Sequence, residues 1–99
     1  METTILVVGR HPEIMEVIVR LINGEKGWHA TPALTDEEAL DAFNKKDFDL
    51  VLIGGGVDQQ SFDLLREQFE KKNPAIKIVK HYGGGSGLLF NEIHQALGR

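Results

Sequence analysis

The 99-residue sequence predicts an open α/β fold: a parallel four-stranded sheet in the order 2-1-3-4, sandwiched between helices in three layers. Two observations carry most of that reading. The runs Ile5-Leu-Val-Val8 and Leu50-Val-Leu-Ile53 are continuously apolar and each stops at glycine, the pattern of a strand buried on both faces. Between and after them, short apolar runs alternate with helix-spaced segments as βαβαβαβα. That order demands parallel pairing through crossover helices, which cover both faces of the sheet. A hydrophobic share of 41% beside 26% charged residues supplies a core for one domain over residues 1–99 and excludes a disordered chain.

The elements follow in order. The first strand ends at Gly9, and Pro12 then sits where a first helical residue needs no N–H, with Glu13 in the first turn. Ile14, Ile18, Leu21 and Ile22 recur at helical spacing and are expected to face the core, with Glu13, Glu16 and Arg20 opposite; Asn23-Gly24 stops the helix. Trp28 to Leu34 alternates loosely around Pro32, which places it at a sheet edge. Thr35-Asp-Glu-Glu38 is a capping box that opens a second helix, buried through Ala39, Leu40 and Phe43. The third strand runs into Gly54-Gly55-Gly56. Phe62, Leu65 and Phe69 define a third helix ended by Asn73-Pro74. Ala75 to Tyr82 is a fourth strand, an edge guarded by Lys77, Lys80 and His81. After Gly83-Gly84-Gly85-Ser86-Gly87, Leu89, Ile93, Ala96 and Leu97 mark a last helix. Trp28 and Phe48, near element ends, read as core residues with some exposure.

Several function classes drop out. No cysteine means no disulfide, no thiolate nucleophile and no Cys-held metal. The start lacks the basic and apolar regions of a signal peptide, and no apolar stretch approaches a membrane span, so a cytoplasmic protein is expected. The net charge of −4 and the absence of a Lys/Arg cluster argue against nucleic acid. His11, His29, His81 and His94 share no metal-ligand spacing, and no metal or other cofactor is expected.

The stretches Ile5-Leu-Val-Val-Gly-Arg-His-Pro12, Gly27 to Leu40, Phe48-Asp-Leu-Val-Leu-Ile53 and Leu64-Leu65 through Pro74 together resemble bacterial two-component response-regulator receiver domains (CheY-like), of flavodoxin-like fold. The resemblance implies a site where acids after the first strand hold magnesium, an aspartate ending the third strand accepts phosphoryl, and a lysine ending the fifth strand neutralises it. Here the acid pair falls on Gly9 and Arg10, and the phosphoacceptor position falls on Gly54. Glycine has no side chain to phosphorylate, and a guanidinium cannot coordinate magnesium. Asp58 lies four residues on and reads as a solvated or helix-capping residue. The chain is also about one βα unit shorter than a receiver. Either the final unit is absent, or an internal one is, in which case Lys80 is the lysine counterpart.

Two glycine loops at the carboxyl ends of strands form a second constellation. Gly54, Gly55 and Gly56 with Gly83, Gly84, Gly85 and Ser86 could present backbone N–H groups to a small anion, helped by Arg10, His11 and Lys80 or His81. Neither loop has P-loop or dinucleotide spacing, and plain tight turns are the favoured reading of both. His11 has no visible Ser or carboxylate partner for nucleophilic or general-base work. The reading is therefore a non-enzymatic, phosphorylation-independent pseudo-receiver that binds a protein partner or itself, as a homodimer, through the fourth strand (Ile76, Ile78, Val79) and the last helix. A small phosphate- or carboxylate-binding protein is the alternative.

Overall fold

The computed structural model describes residues 2–81 and 86–98, without the side chains of residues 86 and 87. Strands β1 (Thr3–Val8), β2 (Trp28–Ala33), β3 (Leu50–Gly54) and β4 (Lys77–His81) alternate with helices α1 (Pro12–Asn23), α2 (Asp36–Lys45), α3 (Gln59–Lys72) and α4 (Ser86–Leu97). All pairings are parallel, in the order β2-β1-β3-β4. The two continuous apolar runs are the central strands, as their double burial requires. Pro32 lies on the edge strand β2 opposite Val7, where its missing N–H disturbs no second neighbour.

Alternation along the central strands divides the core in two. Leu6, Val8, Val51 and Ile53 face α2 and α3, meeting Ala39, Phe43, Leu65 and Phe69. Ile5, Val7, Leu50 and Leu52 face α1 and α4, meeting Met15, Ile22, Leu89 and Ile93. Trp28 and Phe48 are fully in these cores, one per face, rather than partly exposed. Trp28 is covered by Phe90 and His94 of α4, with ring centroids 6.1 and 5.0 Å away.

The caps are mostly local chemistry. Thr35 Oγ1 accepts from the Glu38 N–H at 3.0 Å, the first half of the capping box. The second half is displaced by one residue: Glu38 Oε1 accepts from the N–H of Leu34, not of Thr35, at 2.8 Å. Asp58 caps α3 by accepting from the Ser61 N–H at 2.8 Å.

Helix α1 departs from expectation. Met15 and Ile22 are its buried residues and Ile18 and Val19 pack beside them, but Ile14 is 57% and Val17 43% exposed. Two apolar stripes share this helix, and Ile14 belongs to the outer one.

The placement of α4 settles how the chain ends its sheet. Right-handed crossovers from β2 to β3 and from β3 to β4 put α2 and α3 on one face. A crossover to a further strand beside β4 would use that same face. Helix α4 instead lies on the α1 face, so it folds back over the sheet, and among the described residues β4 pairs with β3 alone.

Candidate functional site

The carboxyl ends of β1 and β3 carry Gly9-Arg10-His11 and Gly54-Gly55-Gly56, which is where ligands bind in open α/β sheets. The Arg10 guanidinium is already engaged. Its Nη1 donates to the carbonyls of Gly9 and Leu34 at 3.3 and 3.2 Å, and its Nη2 is paired with the Asp36 carboxylate. Arg10 therefore ties the β1 end to the β2–α2 turn, and it lines the crevice beside His11 and Gly54–Gly56 with its charge already paired to Asp36, where a free charge was expected.

The Gly54–Gly56 turn lacks the backbone form of an anion nest. Gly54 O accepts from the Val57 N–H at 3.2 Å, closing a turn. A backbone anion nest alternates right- and left-handed residues, yet Gly54, Gly55 and Gly56 all lack positive φ; among the described residues only Gly27 and Gly98 have it. Gly54 and Gly56 have room for a methyl group, since a Cβ would come no nearer than 3.4 Å to Val8 O or to the His11 ring. These glycines are turn residues under no conformational compulsion.

Lys80 sits on the other face. It is 3.4 Å from Gln59 Oε1 and its ammonium lies 5.1 Å from the Phe62 ring centroid, both at the start of α3. It shares no site with His11. Gly83, Gly84 and Gly85 lie outside the described residues, and Ser86 opens α4 with its side chain likewise outside them. Ile76 precedes β4 and is 7% exposed, packed in the α2/α3 core, so it is no interface residue; Ile78 and Val79 are half-buried, one against each core.

The structure does assemble a feature that the sequence conceals. Between α1 and α4 runs a groove of about 840 Å³, floored by Val7 and Leu52 and walled by Ile14, Ile18, Leu21 and Leu89. Its polar end holds Arg10, His11, Glu13, the Gly54–Gly56 turn and His81. His81, opposite Gly54 in the sheet register, is buried with its Nδ1 2.5 Å from Glu92 Oε1 of α4. His29 and Glu2 make a similar contact in the open, and His94 is exposed apart from its face on Trp28. No sequence signal pairs His81 with Glu92, because strand-to-helix contacts have no fixed spacing.

In acid chemistry the site is spare. Asp58 caps α3, Asp36 holds Arg10, and among the described residues no cluster of three His, Asp or Glu side chains is arranged to hold a metal ion. Nor is any described helix long and apolar enough to cross a membrane.

No family model matches the chain, and no curated protein matches it. Solved structures do. The response regulator TrrA from Thermotoga maritima, solved with Mg²⁺ and beryllium fluoride, superposes with a TM-score of 0.79 at 21% identity, covering 95% of this chain and 98% of that one. The chemotaxis protein CheY4 from Vibrio cholerae gives a TM-score of 0.74 at 12% identity over 97% and 99% of the two chains. A complex of the histidine kinase ThkA with TrrA gives 0.74 at 24% identity over 96% and 98%. The chain has the fold of CheY-like receiver domains.

Proposed function

We propose that the chain is a receiver-like module of signalling that works without phosphorylation and without catalysis, by binding a protein partner. The observation that carries this reading is the end of β3. Gly54 has no side chain to accept a phosphoryl group, Asp58 four residues on is engaged in capping α3, and Asp36 beside the β1 end is paired with Arg10. A phosphoryl switch needs both an acceptor and a magnesium site. Incubation with acetyl phosphate and magnesium is expected to leave the intact mass unchanged. A stoichiometric mass increase that disappears in Asp58→Ala would overturn the reading. The likeness to TrrA, which has been solved bound to a histidine kinase, supports a protein as the partner.

A second copy of the chain is one such partner, and the open side of β4 favours it. Its backbone groups on that side have no strand neighbour, and Ile78 and Val79 are only half-buried. Two copies joined antiparallel along β4 would make one continuous sheet. Light scattering over a micromolar dilution series tests this: the mass should fall from twice 11.0 kDa on dilution, and a constant 11.0 kDa would exclude self-pairing.

A further inference from the structure

The apolar groove between α1 and α4 has a chemistry that the docking of a protein on β4 does not use. Its volume of about 840 Å³ falls in the range of small-molecule sites, roughly 300–1,000 Å³. The walls are aliphatic, and Ile14 and Val17 stand exposed along its lip although they are ordinary core residue types. Such a concavity with a few convergent polar groups at one end is how ligand sites are built.

The polar end selects what the ligand carries. Arg10 is neutralised by Asp36 and His81 is matched by Glu92, while the carboxylate of Glu13 lines the same mouth. That charge pattern disfavours an anion. Glu92 engages Nδ1 of His81, which leaves Nε2 as the remaining polar atom of the ring. No buried side-chain nitrogen or oxygen among the described residues is without a partner, and His81 makes no other hydrogen bond. Its Nε2 is therefore not sealed from solvent, and His81 lines the groove. A carboxylate holding one side of an imidazole fixes the direction of the ring.

We propose that this groove binds a neutral, largely apolar small molecule that ends in one hydrogen-bonding group, such as a phenol hydroxyl, paired with His81 Nε2. The apolar body lies along Ile14, Ile18 and Leu21 of α1, over Val7 and Leu52. This site is independent of the phosphorylation-free reading and of β4 pairing, since neither uses the groove.

The probes are 4-propylphenol and propylbenzene, titrated into the full chain and followed by ¹H–¹⁵N NMR. The phenol should shift amides of α1, the Gly54–Gly56 turn, His81 and Leu89, and bind about five- to tenfold more tightly than propylbenzene, the worth of one good hydrogen bond. His81→Phe should erase that preference while keeping propylbenzene binding. Because removing His81 leaves Glu92 without its partner, Val17→Trp serves as the second variant: position 17 is exposed at the lip, so the added ring fills the groove without entering the core, and binding of both probes should be lost. Absence of groove shifts at millimolar probe would overturn the proposal. Equal affinity for the two probes would do so too, as would probe-free shifts of the same amides that grow with protein concentration, the sign that a second copy fills the groove.

Discussion

A glycine at position 54 and a carboxylate at position 58 divide what one phosphoacceptor side chain would do. Gly54 has negative φ and space for a methyl group, so Gly54→Ala is expected to be neutral or stabilising by about 0.4–1 kcal/mol, through the lost freedom of the unfolded chain, measured by urea denaturation. Asp58→Ala should cost about 1 kcal/mol, because it leaves an α3 N–H without its acceptor. The Asp58 cap was legible in the sequence because capping acts over three residues. The Arg10–Asp36 pair, 26 residues apart, was not: Arg10 read alone is a free cation at a strand end, and only the fold brings Asp36 beside it. The same holds for His81 and Glu92. Glu92→Ala should destabilise by about 1–3 kcal/mol, since a buried ring nitrogen is then left unsatisfied, and a urea midpoint unchanged from the parent would show that water replaces the carboxylate without loss.

Element boundaries and order were legible almost throughout, because apolar runs, Pro12, Gly24 and the Thr35 cap are local signals of strand, start and stop. Which stripe of a helix faces the sheet is a different kind of information. Helix α1 is apolar at 14, 15, 17, 18, 19, 21 and 22, so helical periodicity alone cannot choose between the Met15–Ile22 and Ile14–Val17 faces. The two faces should behave oppositely under mutation. Ile14→Ser is expected to change stability by no more than about 0.5 kcal/mol. Ile22→Ala, fully buried on the same helix, should cost about 2–5 kcal/mol. Equal losses for the two would mean that the outer stripe is covered in solution. The fourth strand shows the other limit: its sequence reveals the lysine-guarded edge, but not that Ile76 turns inward before the strand begins.

For the whole molecule, the open sheet has a graded protection. Leu6, Val7 and Leu52 lie on strands paired on both sides, and their amides should exchange with deuterium only through global unfolding. The amides that β4 turns outward should exchange far faster at low concentration, and slow down with rising concentration only if copies pair along that edge. The course of the last helix has a consequence for the order in which the chain is made. By Ile78 every described residue of the α2/α3 core has been synthesised, whereas the opposite core waits for Leu89 and Ile93. A nascent chain emerging amino end first completes one layer while the other is still open along Val7, Leu52 and Trp28. Trp28, the only tryptophan, touches Phe90 and His94, so its emission should report the closing of α4 over β2.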